Sequence, residues 1–289
     1  MKKTMMRTIA LTLLACMALV LVSCGSGGSG SSGSGASSST GGSGTASSAP
    51  TKLICGVTDF EPMNFRDASG KWTGFDTDLA ELVGKKLNMT VEFQEIEWGS
   101  KYQELEAGTI NCIWNGFTAN ASESDGTKRS DLVDFSYSYL LNQQCVVVKS
   151  DRSGEFKGEG DLAGKTAAAE AGSAGESFAA EAVGSSGKVI GTAAQINTFI
   201  EVKSGAVDCA VVDILLAQRL AGSGDYADLV IADIDLESEV YAVGFKKGGD
   251  LRDKVNGALK ALYDDGTMMS LAEEYGLENT LDLDTSFKG

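Results

Sequence analysis

The chain has 289 residues, with 24 Lys+Arg against 40 Asp+Glu, a formal net charge of −16 and no histidine. Without an imidazole there is no Ser-His-Asp triad, no Cys-His pair, no His-ligated metal and no histidine base, and the sequence calls for no metal or cofactor. The acidic balance argues against nucleic acid, which needs clustered Lys/Arg, whereas 43% apolar residues suffice for a core of one or two domains.

Residues 1–23 read as a secretion signal: Lys2, Lys3 and Arg7 precede an apolar run from Ile9 to Val22 that is too short to span a membrane comfortably. The sequence Leu21-Val22-Ser23-Cys24 resembles the bacterial lipobox, which makes Cys24 the lipidated N-terminus of the mature protein and the lipid its membrane anchor. Removing residues 1–23 takes away three basic groups and leaves 21 against 40, a net charge of −19. Residues 24–50 then read as a linker. Of the 26 residues from Gly25 to Pro50, 20 are Gly or Ser and none is charged, so the segment cannot bury enough apolar surface to fold. As a Gly-rich coil it reaches about 28 Å.

From Lys52 onward β-branched runs alternate with helical periodicity, the pattern of an α/β protein with parallel strands. KLICGV is a strand, Asp76 is expected to cap a helix bearing Leu79, Leu82, Val83 and Leu87 on one face, TVEFQEI is a strand, Ser100–Ala107 a helix and TINCIW a strand. A second series follows: KTAAAE, helix Ala174–Val183, KVIG, helix Ala194–Val202, DCAVVD, helix Ile214–Ala221 and DLVIA. EVYAVGF returns to an extended form before helices Leu251–Asp264 and Thr267–Tyr275. Two such series, and about 240 folded residues, suggest two lobes. Cys55, Cys112, Cys145 and Cys209 each sit in a strand-like run without CxxC spacing. Buried core thiols are the simpler reading, although an extracellular setting permits disulfides.

In open α/β sheets ligands bind beyond the carboxyl ends of the strands. Those ends carry Asp59-Phe60-Glu61, Trp98, Asn115-Gly116-Phe117-Thr118, the stretch from Glu170 to Gly175, and Asp213.

Several ordered motifs carry a family resemblance over roughly Lys52 to Gly276. The opening GVTDFEPMNFRDASGKWTGFDTDLAELVGKKLNMTVEFQEIEW, then LVDFSYSYLLNQQCVVVK, EAGSAGE and LRDKVNGALKALYDDGT, is similar to the family 3 extracellular solute-binding proteins, the polar amino-acid receptors of ABC importers. The resemblance implies a two-lobed, type II periplasmic-binding-protein-like fold, with lobe 1 at 51–146 and 242–289 and lobe 2 at 147–241. Two hinge strands are expected near Val146–Lys149 and Glu239–Val243. It also implies a monomer that closes on a free amino acid and delivers it to ABC permease subunits.

The family's carboxylate-clamping arginine falls on Arg129, and its ammonium-binding aspartate on Asp213. Thr118 and the amides of Ser173-Ala174 would add donors to the ligand carboxylate, and Trp98 with Phe60 or Phe65 would wall the ligand, the indole face being open to a cation. The loop ANASESDGTK before Arg129 is longer than is usual in the family and could displace the guanidinium. Arg129 is the one basic residue recognised near the cleft, against Asp59, Glu61, Glu170 and Asp213. The ligand is therefore expected to be neutral polar or cationic, with Glu170 as its side-chain partner. Two other readings share the fold: a ligand sensor for a membrane receptor, and an enzyme like the related dehydratases, with Glu61 or Glu170 as proton donor.

Overall fold

A computed structural model describes residues 51–288. Cys24, the signal segment and the linker lie outside the described residues.

The strands are β1 (Thr51–Val57), β2 (Phe65–Arg66), β3 (Trp72–Thr73), β4 (Met89–Glu95), β5 (Cys112–Ile113), β6 (Asp134–Phe135), β7 (Ser138–Lys149), β8 (Thr166–Glu170), β9 (Lys188–Thr192), β10 (Cys209–Asp213), β11 (Leu229–Ile231), β12 (Ser238–Tyr241), β13 (Gly244–Phe245) and β14 (Leu281–Asp284). The helices are α1 (Phe75–Leu87), α2 (Lys101–Ala107), α3 (Arg129–Leu132), α4 (Ala174–Val183), α5 (Gln195–Ser204), α6 (Ile214–Leu220), α7 (Leu251–Asp264) and α8 (Thr267–Tyr275).

Lobe 1 is built on a sheet of order β4-β1-β5-β13-β6. Strand β1 runs parallel to its neighbours β4 and β5, with Cys55 opposite Cys112. Lobe 2 is built on the order β11-β7-β10-β8-β9, in which β8, β9 and β10 are mutually parallel and β7 is antiparallel to β10 and β11. The apolar runs read from the sequence form these central strands because both faces are covered: Leu53, Val57, Ala167, Ala168, Val211 and Val212 are all buried. The thiols of Cys55, Cys112, Cys145 and Cys209 are free and buried.

The connection between lobes is β7. Its first part, Leu140–Gln143, pairs with Tyr241–Ser238 of β12, and its second part, Gln144–Lys149, pairs with β10 and β11 of lobe 2. The changeover thus falls between Gln143 and Gln144, earlier than the expected boundary at 146/147, because Val146 and Val147 already belong to the lobe 2 sheet. EVYAVGF divides at the same level into β12 and β13, and only β13 joins the lobe 1 sheet.

Asp76 does not cap α1. Gly74 holds the cap position at φ 117°, where an added Cβ would lie 2.3 Å from the Met63 carbonyl oxygen, so only glycine fits. Asp76 is instead buried in the first turn, accepting from the Gly116 amide at 2.7 Å and the Tyr139 hydroxyl at 2.8 Å. It thereby ties the start of α1 to the loop after β5 and to β7.

Candidate functional site

A small cavity between the lobes is walled by the ends of the strands. Phe60, Trp98, Asn115, Gly116, Thr118 and Arg129 come from lobe 1, while Glu170, Ser173, Ala174, Gln195 and Asp213 come from lobe 2. Asp59, Glu61 and Phe65, expected near the cleft, are not in the wall. Asp59 is exposed between buried Thr58 and Phe60, an alternation that turns its carboxylate outward. Phe65 is held half-buried in the β2–β3 hairpin opposite Thr73, which leaves Phe60 as the phenylalanine at the cavity. Gly116 fits beneath it at φ 53°, and an added Cβ would meet Phe60 Cε1 at 2.5 Å and Tyr241 Cε2 at 3.0 Å.

Arg129 opens α3 and is 1% exposed. Its Nη1 donates to the Thr118 carbonyl at 3.0 Å, its Nη2 to the Gly172 carbonyl of lobe 2 at 3.3 Å and its Nε to Glu123 Oε1 at 2.9 Å. With the long loop before it, Arg129 still lines the cavity. The loop folds back on itself, with Ser122 bridging Lys128 and the Glu123 amide donating to the Thr127 carbonyl, and this turn brings the counter-ion of Arg129 into place.

Lys101, the first residue of α2, escaped the sequence reading and corrects the count of one basic residue. It is 1% exposed, its Nζ donates to the Gly172 carbonyl at 2.8 Å, and it lies 3.8 Å from Glu123 Oε1. It also stands 5.1 Å from the Trp98 ring centre and 4.6 Å from that of Tyr102, so the protein's own ammonium already lies at the indole. Burial, and then the Arg129 charge, press its pKa down to about 7, against the pull of Glu123, Glu170 and Glu176.

The opposite end of the cavity is acidic. Asp213 closes β10, and its carboxylate accepts from Asn142 Nδ2, from Gln144 Nε2 at 3.0 Å, from the Tyr241 hydroxyl at 2.8 Å and from Gln195 Nε2. Its amide donates to Gln195 Oε1 at 2.9 Å, which fixes the turn into α6. Burial raises its pKa in spite of these donors. Glu239 on β12 accepts from the same two amides, Asn142 at 2.9 Å and Gln144 at 3.0 Å, and from the Thr118 hydroxyl at 3.1 Å. Burial and then the Asp213 charge raise it to about 7. Glu170, at the end of β8, is 3% exposed and its Oε1 has no partner among the described residues. Burial, and next Asp213, push it up to about 8.

The remaining expected contacts already have protein partners. Asn115 accepts from the amide and hydroxyl of Thr58 at 3.1 and 2.7 Å and donates back to the Thr58 carbonyl at 3.0 Å, which pins the ends of β1 and β5 together. The Ser173 hydroxyl caps α4 by accepting from the Glu176 amide at 3.0 Å, and its own amide donates to the Glu170 carbonyl at 3.1 Å. Ala174, at the first turn of α4, lines the cavity. The residues missed at the acidic end had one legible signal: Asn142 and Gln144 are two positions apart in β7, just before its apolar run Cys145–Val148, hence on one face.

Two α/β lobes joined by crossing strands, with a cationic group from one and a carboxylate from the other facing a shared cavity, define a cleft-binding receptor. The chain belongs to the bacterial extracellular solute-binding proteins, family 3, which it matches over residues 53–278, and it is accordingly extracytoplasmic. It is 28% identical over 278 residues to the arginine-binding extracellular protein ArtP of Bacillus subtilis (strain 168), covering 95% of this chain and 98% of the relative. An ABC uptake transporter substrate-binding protein from Streptococcus pneumoniae with bound histidine superimposes with a TM-score of 0.69 at 33% identity, over 80% of this chain and 94% of that one. The ancestral amino-acid-binding protein AncCDT-1, a precursor of cyclohexadienyl dehydratase, gives 0.69 at 30% identity over 78% and 95%. Among the described residues no helix is long and apolar enough to cross a membrane.

Proposed function

We propose that this receptor binds a free polar amino acid, neutral or cationic, and hands it to the permease of an ABC importer when the lobes close. The carrying observation is that Arg129 of lobe 1 and Asp213 of lobe 2 face one cavity from opposite sides, which matches the two charges of an α-amino acid. In this reading Arg129 takes the α-carboxylate with help from the Thr118 and Ala174 region. Asp213 takes the α-ammonium, and Phe60 and Trp98 flank the ligand. Glu170, with its unpartnered oxygen, answers the side chain. A second carboxylate on the ligand would meet Glu170, Asp213 and Glu239 in a desolvated site, and an unpaired buried ion costs several kcal/mol. The relatives named for arginine and histidine support this choice.

A thermal-shift screen of the twenty common amino acids with cystine and ornithine on residues 51–289 tests the reading. A ligand at ~1,000 times its Kd adds ~4 kcal/mol. Arginine, glutamine and cystine are the first candidates, and micromolar binding of glutamate would overturn the assignment. Glu170, a buried carboxyl held protonated near neutrality, also favours a second reading as a dehydratase-type proton donor. Incubation with prephenate and arogenate decides between the two, and binding without turnover is expected.

The mature protein is a monomer tethered to the extracytoplasmic face of the cell membrane by a lipid on Cys24. A doubly acylated cysteine holds the bilayer through ~0.8 kcal/mol per buried CH₂. Cys24→Ala should therefore release the folded domain from the membrane fraction, and unchanged fractionation would refute the anchor.

A further inference from the structure

We infer that the ammonium end of the site is a carboxylate pair, Asp213 with Glu239, and that it takes up the ligand's ammonium in exchange for a proton. This rests on the amino-acid reading above and adds Glu239, a positioning residue on the inter-lobe strand β12, to the binding machinery.

The geometry is specific. Gln144 Nε2 lies 3.0 Å from an oxygen of each carboxylate, so those two oxygens are less than about 6 Å apart. Asn142 Nδ2 bridges the same pair. Each amide nitrogen has two hydrogens, and both carboxylates draw on them. The cost of this orientation is visible, because Asn142 Oδ1 and Gln144 Oε1 are left buried without partners. Among the described residues neither carboxylate has a lysine or arginine partner. Around them stand the Tyr241 and Thr118 hydroxyls, Gln195, Cys145 on β7, Glu170 on β8 and, beyond Tyr241, Asp76 on α1. Lys101 and Arg129 act on Glu170 from the far end of the cavity.

Two carboxylates this close in a desolvated site cannot both stay ionised without a cation. Without ligand the pair holds one proton and one negative charge. When the ligand's ammonium seats against Asp213, both carboxylates become ionised and the proton leaves, so charge balances and no bond other than O–H breaks. The two residues divide the work by position. Asp213 lines the inner cavity, whereas Glu239 borders a groove of about 800 Å3 between the loop before Arg129 and α4 and so connects the pair to solvent.

Two measurements test this. Carbon-13 carboxyl NMR of the ligand-free protein should show a carboxyl titrating near pH 7 that disappears in Glu239→Gln, an isostere that keeps an acceptor for Thr118, Asn142 and Gln144. This arm does not depend on which amino acid binds. If the same groups titrate near neutrality in parent and variant, the pair holds no proton and the inference fails. Calorimetry with L-arginine and with L-glutamine, in buffers of different ionisation enthalpy at pH 6.5, should show release of about one proton per ligand, with affinity rising about tenfold for each unit that pH increases toward neutrality. Glu239→Gln should abolish the release and flatten the profile, and Glu239→Asp should restore both. Loss of the release in Glu170→Gln but not in Glu239→Gln would assign the proton to Glu170 and overturn the inference. A ligand screen that finds no amino acid would count against the amino-acid reading, while the ligand-free titration would still decide the pair.

Discussion

Arg129 meets three acceptors in the closed site: a counter-ion from its own loop, the Thr118 carbonyl, and a carbonyl from the other lobe. A ligand carboxylate can replace the carbonyls without leaving Glu123 unpaired, because Glu123 also accepts from the Tyr102 hydroxyl at 2.5 Å and neighbours Lys101. Truncating one member of a desolvated charged pair exposes its partner to the full penalty, so Arg129→Ala and Asp213→Ala are each expected to weaken amino-acid binding by about 2–5 kcal/mol, or roughly 30-fold or more. Isothermal calorimetry on the ligand found in the screen checks this, and parent-like affinity in either variant would remove that residue from the clamp. Lys101 acts differently. Its ammonium joins α2 to the Gly172 carbonyl and does not border the cavity, so Lys101→Met should weaken affinity for every ligand by a similar factor instead of changing their order.

At the scale of elements, the lobes meet where two chain turns touch. Gly172, at φ 76° in the β8–α4 turn, would place an added Cβ 2.9 Å from Gly99 Cα, at the start of the turn into α2. Lys101 and Arg129 both bond to the carbonyl of that same glycine. Gly172→Ala therefore meets both a left-handed backbone and a steric stop between lobes. It should reduce the compaction seen by small-angle scattering on ligand addition and cost about tenfold in affinity, equivalent to ~1.4 kcal/mol. Full compaction in the variant would show that closure does not pass through this contact. The hinge itself is a matter of pairing. β7 gives up β12 for β10 and β11 between Gln143 and Gln144, and a strand that changes partners is where rotation of the lobes would be concentrated.

For the whole molecule, the buried ionisable groups set the response to pH. Asp76 is raised to about 7 by burial, Glu239 to about 7 and Glu170 to about 8. Each folded-state value lies above the unfolded one, so the folded protein holds more protons from about pH 4 upward, and the associated stability is lost as pH rises through 7 to 8. Lys101 works in a different window. With a folded value near 7 against 10.5, it makes stability rise with pH above 7. The net charge of the mature chain, which becomes less negative in acid, acts in the same direction as the carboxyl groups. The melting temperature of the ligand-free domain should thus increase between pH 8 and pH 5. Asp76→Asn should flatten the change by an amount on the order of a few kcal/mol. Calorimetric scans that are flat or that fall toward pH 5 would contradict these burials.

Periodicity, composition and the ordered motifs were enough to show the two α/β series and to single out the strand ends and, through the family resemblance, Arg129 and Asp213, which line one cavity from the two lobes. Each of these is written locally: a strand is an apolar run, and its carboxyl end is wherever that run stops. The division of β7 between lobes was not legible, since a continuous strand has the same sequence pattern whichever partner it pairs with. Nor were Lys101, Glu123 and Glu239 recognisable as site residues. A lysine at a helix start, a glutamate in a long polar loop and another in a short strand are ordinary surface residues by local criteria. Only packing one lobe against the other takes them out of water, and it is desolvation and proximity across that contact that turn them into a counter-ion, a latch and a proton-sharing partner.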